Sequence, residues 1–219
     1  MTHRAVVLLS GGLDSSTCLA WGIREGLECH ALSFDYGQRQ LQELNAARAI
    51  AKALGASSHR VLRFDLRAIG GSALTDDIEV PKHRTIGEIG QGIPITYVPA
   101  RNTIFLSYAL ALAEVIGADR LLIGVNALDY SGYPDCRPEF IAAFESMANL
   151  GSRFVQTPEA RLQILTPLIA MTKAEIVRLA RSLGVPIELT FSCYDPSESG
   201  EPCGQCDACL LRAKGLEEA

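Results

Sequence analysis

Apolar positions along this chain alternate between short continuous runs and longer stripes at helical spacing. Ala5-Val6-Val7-Leu8-Leu9 is a β-branched run, and a helical pattern follows from about Thr17 to Glu25. Cys29 to Phe34 reads as a second strand, after which Leu41, Leu44, Ile50 and Leu54 recur at helical spacing up to Gly55, a helix stop. His59 to Phe64 alternates loosely as a third strand. Strand, helix, strand, helix, strand predicts a parallel sheet with right-handed crossovers, so the first half is expected to be a doubly wound, Rossmann-like α/β unit.

Asn102 to Gly117 is apolar around most of its circumference, which predicts a helix buried on several sides, in the core or partly against a second subunit. Arg120 to Val125 is the next strand, Pro138 opens a helix to about Leu150, and Leu162 to Leu165 follows as a strand. Thr172-Lys173-Ala174-Glu175 is a capping box, with Ile176, Leu179, Ala180 and Leu183 on one face before Gly184. Between about Arg67 and Pro94 no period holds; both a lid that orders over substrate and a plain insertion are compatible with that. The expected organisation is an α/β domain over residues 1–185 and a short cysteine-rich segment over 186–219 with little core of its own.

Composition narrows the class. At 48% hydrophobic and 21% charged residues the chain of 219 is globular rather than disordered. A net charge of −5 disfavours a nucleic-acid module held by phosphate contacts. Five apolar residues before Ser10 are too few for a secretory signal, and no run approaches the roughly 18 needed to span a membrane, so a cytoplasmic location is expected.

The first strand runs into Ser10-Gly11-Gly12-Leu13-Asp14-Ser15-Ser16. Two glycines let backbone N–H groups converge, the hydroxyls add donors, and a following helix adds its positive end, which together make a cradle for nucleotide phosphates. No lysine follows the glycines, so this is not the P-loop of kinases and GTPases. S-G-G-x-D-S resembles the pyrophosphatase-loop (PP-loop) signature of enzymes that adenylate a substrate and release pyrophosphate.

Two further loops fall at strand ends, where open parallel sheets bind ligands. They are Asp35 to Arg39 and Asn126 to Arg137, the latter packing Asn, two Asp, two Tyr, Ser and Arg into twelve residues. Arg101, just before the apolar helix, is placed to clamp phosphate or carboxylate, although Asn102 as a helix cap beside a surface arginine fits the spacing equally. Lys173 sits in the first turn of its helix, unfavourably for the helix dipole, which suits either an anionic ligand or a solvated lysine. Cys193, Cys203, Cys206 and Cys209 make C-x9-C-x2-C-x2-C, the donor set of a closed tetrahedral zinc site, with an iron–sulfur cluster as the competing reading. Cys18, Cys29 and Cys136 read as small buried hydrophobes.

With these pieces placed, the chain closely resembles the 7-cyano-7-deazaguanine synthase family of deazapurine synthesis. The matching stretches are SGGLDSS at Ser10, FDYGQR at Phe34, VPARN at Val98, GVNALDYSGYPDCR at Gly124, PLIAMTKAEIV at Pro167, and SCY with CGQCDAC from Ser192. The resemblance implies ATP-dependent conversion of 7-carboxy-7-deazaguanine and ammonia to the nitrile through adenylated acid and amide, with Mg²⁺ as the counterion of ATP, one Zn²⁺ per chain, a homodimer, and no nucleic acid or membrane partner. It assigns Leu9, Ser10, Gly11, Gly12, Leu13, Asp14, Ser15, Ser16, Leu32, Phe34, Arg101 and Gly124 to the nucleotide. Asn126, Asp129, Tyr130, Ser131, Tyr133, Asp135 and Arg137 become substrate candidates, and Asp14, Arg101, Asp129, Asp135, Arg137 and Lys173 catalytic ones. Rival readings are a PP-loop enzyme modifying tRNA, by thiolation through Cys18 or Cys136 or by amine ligation, and a non-catalytic nucleotide sensor.

Overall fold

The computed structural model describes residues 2–39, 41–89, 92–126, 132–156 and 161–219. Strand β1 (Arg4–Leu8) is buried on both faces, with Ala5, Val6 and Val7 fully enclosed, as suits a β-branched run in a parallel sheet covered by helices on either side. It pairs in parallel with β2 (Glu28–Asp35) on one edge and β4 (Arg120–Leu122) on the other, Ala5 lying opposite Cys29 and Arg120. β3 (Ser58–Arg63) pairs beyond β2, and β5 (Gln163–Leu165) beyond β4. The order β3-β2-β1-β4-β5 is the doubly wound arrangement expected from the element rhythm, and it reverses direction at β1.

Helix α1 (Leu13–Arg24) starts four residues before the apolar period does, because Gly12 is its N-cap and the loop residues form its first turn. Ser16 Oγ and Thr17 Oγ1 then donate back to the carbonyls of Gly12 and Leu13 at 2.7 and 2.8 Å. α2 (Gln42–Leu54) ends at Gly55 with φ +78°. α3 (Arg101–Ile116) buries Leu106, Ala109, Leu112 and Ala113 but leaves Tyr108 and Val115 40% and 76% exposed. α4 (Pro138–Gly151) begins on its proline, and α5 (Lys173–Ser182) carries the capping box, Thr172 accepting from the Glu175 N–H.

The irregular segment between β3 and α3 is packed: Ser72, Ala73, Leu74 and Val80 are buried. Lys82 forms a β-bridge with Cys206, and the His83 N–H donates to the Gln205 carbonyl at 3.1 Å, so the segment is pinned to the cysteine-rich tail. The tail contains a helix that its sequence did not announce, α6 (Asp207–Glu217), whose apolar residues lack a 3.6-residue stripe. α6 lies on α5, while Cys193, Cys206, Ala208 and Cys209 join the same core cluster as Val6 and Leu106. Among the described residues no helix is long and apolar enough to cross a membrane.

Gly215 is where α6 meets α5. A Cβ there would strike Lys173 Cγ and stand 3.0 Å from its Cβ and 3.2 Å from its carbonyl carbon. Gly215→Ala is therefore expected to cost about 1–3 kcal/mol, read as a lower urea midpoint at unchanged slope.

Candidate active site

Where the strand order reverses, the carboxyl ends of β1, β2 and β4 open into a cavity of about 230 Å³. Its β1 wall is the glycine loop. Gly11 holds φ +89°, and a Cβ there would meet the Glu43 carbonyl oxygen and stand 2.6 Å from Ala47 N, so only glycine lets the loop lie against α2. Ser15 Oγ accepts from the Ser10 N–H at 3.1 Å, lies 3.0 Å from Ser10 Oγ, and donates to the Gly12 carbonyl at 3.1 Å. The hydroxyls thus lock the loop as well as face the cavity.

Leu9, Ser10, Gly12, Leu13, Asp14 and Ser15 line the cavity. Gly11 is turned against α2, and the Ser16 hydroxyl is buried against the Gly12 carbonyl, so both shape the loop from behind. Gly124, just past β4, lets that strand end close on the loop: a Cβ there would stand 3.0 Å from Asp14 C and Ser15 N.

Strand alternation puts Leu32 and Phe34 on the cavity wall. Ser33 faces the opposite side, donating to the Leu9 carbonyl at 2.5 Å and lying 2.7 Å from His59 Nε2. Phe34 stacks on Phe105 of α3 with centroids 4.1 Å apart, which makes this part of the cavity apolar and aromatic.

Lys173 and Asp14 meet in the wall. Nζ donates to both carboxylate oxygens, at 2.9 and 2.8 Å, with side-chain exposures of 10% and 18%. The lysine is neither solvated nor waiting for its first anion. Its capping box fixes the start of α5, and α5 carries the ammonium to the first turn of α1.

Arg101, the first residue of α3, enters the cavity among three tyrosines. Burial opposes its charge, but Tyr36, Tyr133 and Tyr194 around the guanidinium outweigh that and raise its pKa. Tyr133 is held in turn by Thr96, 2.9 Å away through the two hydroxyls, and by the Tyr97 ring at 5.8 Å. Across from Arg101 lies Glu43, in the first turn of α2, whose carboxyl is pushed up to about 7 by burial against the pull of Arg101.

The third strand-end loop divides. Asn126 is buried and lines the cavity, its amide donating to the Met171 carbonyl. Tyr133 and Cys136 also line it, whereas Asp129, Tyr130 and Ser131 lie outside the described residues. Asp135 is buried and faces α3 instead: its Oδ2 accepts the Asn102 N–H at 3.0 Å, and its carbonyl accepts from Asn102 Nδ2 at 3.0 Å. The N-terminus of α3 is thus capped by an aspartate 33 residues further on, and Asn102 is a clasp rather than the N-cap, which is Ala100 at φ +55°. Arg137 is exposed at the N-cap of α4 and does not line the cavity.

The four cysteines gather as their spacing predicted. Their sulfurs lie within 4.8 Å of one another. Tetrahedral metal–sulfur bonds of about 2.3 Å place ligand sulfurs about 3.8 Å apart, so the tetrad fits a single thiophilic ion after a small contraction. The Cys203 and Gln205 N–H groups donate to Cys193 and Cys203 sulfurs at 3.2 and 3.5 Å, and Gly204 turns the chain at φ +72°. Hydrogen bonds among the Cys193, Cys206 and Cys209 sulfurs favour the thiolate form at Cys206.

Glu43, Tyr36, Tyr194, Ser192 and Arg212 also line the cavity and were not picked out from the sequence. Tyr36 lay within the FDYGQR stretch that marked a strand end, but nothing in the spacing set Glu43 apart from other acids in a helical first turn. Arg212 and Ser192 belong to the tail, which becomes part of the site only through α6.

A 3-2-1-4-5 parallel sheet whose glycine–hydroxyl loop stands at the switch point defines a PP-loop type of ATP-using α/β protein. NMN synthetase from Francisella tularensis has the same fold: it is 19% identical, the match covers 94% of this chain and 70% of that one, and the TM-score is 0.51. The chain belongs to the family described as queuosine biosynthesis protein QueC, whose model matches residues 4–219. Two relatives, from Solidesulfovibrio magneticus and Geotalea daltonii, are each named 7-cyano-7-deazaguanine synthase. They are 62% and 61% identical over 99% and 100% of this chain, and the matches cover 92% and 94% of their own lengths.

Glu43 gives the site a pH signature. Its folded pKa, about 7 against an ordinary 4.5, favours the protonated form. Its contribution to stability is full below about 4.5 and lost as pH rises through 7. Glu43→Gln is expected to match the unsubstituted protein at pH 5 and to exceed it by about 2–3 kcal/mol at pH 8, measured by urea unfolding at both.

Proposed function

We propose that this protein converts 7-carboxy-7-deazaguanine and ammonia to 7-cyano-7-deazaguanine, with two ATP going to two AMP and two pyrophosphate. The observation that carries this is the match of one family along residues 4–219 of a chain whose cavity is walled by the glycine loop. A carboxylate must lose two oxygens to become a nitrile, and neither hydroxide nor oxide is a competent leaving group. Attack of the carboxylate on the α-phosphorus gives an acyl adenylate, and ammonia displaces AMP to give the amide. A second adenylation, on the amide oxygen, permits elimination to the nitrile.

Because AMP supplies the leaving-group reactivity, the side chains position reactants and balance charge. In this reading the adenosine rests on the apolar side, against Leu9, Leu32, Phe34 and Gly124. The phosphates lie over the backbone of Ser10 to Asp14, Ser15 adding its hydroxyl, with Gly11 and Ser16 keeping the loop in shape. Mg²⁺ carried by ATP offsets phosphate charge. Asp14 holds the Lys173 ammonium beside the loop, and Arg101 stands ready for a carboxylate or for phosphate. Asn126 and Tyr133, with Asp129, Tyr130 and Ser131 of the same loop, serve the deazaguanine. Asp135 acts through the start of α3, which sets Arg101, and Arg137 contributes from the rim.

The thiolation rival needs a reactive thiolate. Burial raises the Cys18 thiol well above its usual value and pushes that of Cys136 up to about 12, so both stay protonated. In the tail, zinc suits the sulfur tetrad better than a cluster, where each cysteine would bind its own iron and the sulfurs would stand wider apart. A homodimer is supported by Tyr108, Val115, Leu150 and Val155, apolar residues of 40–76% exposure on α3, at the end of α4 and in the turn Arg153–Gln156 that follows it. Seven cysteines without a disulfide suit a reducing cytoplasm.

Incubation with MgATP, ammonium and 7-carboxy-7-deazaguanine is expected to yield nitrile and AMP by mass spectrometry; ADP, or an absence of nitrile, sinks the proposal. Purified protein should carry one zinc and no iron per chain by elemental analysis. Light scattering should return twice the 23.6 kDa of one chain.

A further inference from the structure

α6 carries an arginine to the edge of the glycine loop. Arg212 lies three residues after Cys209, close to one helical turn, and lines the cavity with Ser10, Asp14 and Ser192. It is held from behind. Nη1 donates to Thr190 Oγ1 at 2.7 Å and Ser192 Oγ at 3.4 Å, and Nη2 donates to the Ile187 carbonyl at 2.9 Å. The same segment is tied to the loop, since the Phe191 N–H donates to the Gly11 carbonyl at 2.9 Å. A Cβ on Gly12 would stand 3.5 Å from the Phe191 carbonyl and 3.8 Å from Ser192 Oγ.

A guanidinium offers five N–H donors. Among the described residues Arg212 hydrogen-bonds to three neutral oxygens and to no carboxylate, while Cys209 and Asp14 favour its charge through space. The wall carboxylate that acts on it through space, Asp14, is already engaged by Lys173 through both oxygens. A half-buried guanidinium beside a phosphate cradle, with three of its five donors spent on neutral oxygens, keeps two for an anion that lies over the loop. The nucleoside side of the cavity is the aromatic side at Phe34, so an anion at Arg212 belongs to the other end of the nucleotide.

We propose that Arg212 binds the β- and γ-phosphates of ATP, and the pyrophosphate they become, and that the cysteine tetrad at the start of α6 serves to hold this arginine in register. The proposal rests on assigning the cavity to ATP. Calorimetry on the metal-replete protein compares ATP with AMP for the unsubstituted chain, Arg212→Met and Arg212→Lys. Arg212→Met should weaken ATP about 10- to 100-fold and leave AMP within about twofold, with Arg212→Lys recovering part of the loss. Unchanged ATP affinity in Arg212→Met overturns the proposal. So does a parallel loss of ATP and AMP affinity with a lower melting temperature, which would make Arg212 a tie between α6 and residues 187–192. If the unsubstituted protein binds no ATP, the assignment of the cavity fails along with it.

Discussion

The Lys173–Asp14 ion pair joins parts of the chain 159 residues apart, and the site is arranged around it. Asp14 is in the first turn of α1 and Lys173 in the first turn of α5, so one pair fixes the helix behind the glycine loop against the helix that supports the tail. Two charges at 10% and 18% exposure are costly to separate, since each would lose a doubly hydrogen-bonded partner in a place with little water to replace it. α6 then closes over the lysine stem through Gly215 and brings the cysteine tetrad and Arg212 to the same wall.

Charge balance in the cavity follows from this arrangement. Lys173 is matched by Asp14, and Arg101 sits among three tyrosines with Glu43 opposite. Glu43 is pushed up to about 7 because burial outweighs the arginine, so near neutral pH it is divided between its charged and neutral forms. Arg212 hydrogen-bonds to neutral oxygens and feels Cys209 and Asp14 through space. Three cations, Lys173, Arg101 and Arg212, thus line one cavity in a chain whose total is −5, so the overall charge says little about what the site attracts.

Spacing within the tail puts the sulfur tetrad one helical turn from the cavity wall. Cys206 is the N-cap of α6, Cys209 lies in its first turn, and Arg212 follows one turn later. An ion drawing the four sulfurs together would fix the start of a helix whose next turn lines the cavity. A site that would look like a remote brace in the sequence is a neighbour of the glycine loop in three dimensions.

The sequence by itself determined the elements and the chemistry written in local spacing. The S-G-G-x-D-S loop after a β-branched run, the C-x2-C-x2-C spacing, the Thr172 capping box and the Gly55 stop each depend on residues within a turn or two of one another, where backbone geometry and donor counting suffice. The doubly wound parallel sheet also followed, since alternating strands and helices leave few un-knotted ways to wind one, although the order of its strands came only with the structure. What tertiary structure decided were the pairings over long separations. Asp135 turned out to cap a helix 33 residues earlier, Lys173 to face Asp14, and the tail to deliver Arg212. Glu43 became unusual only once α2 was pressed against the loop by a glycine with no Cβ to hold it off. No periodicity encodes such contacts: they depend on burial and on which helix ends the sheet brings together, and a linear pattern carries neither.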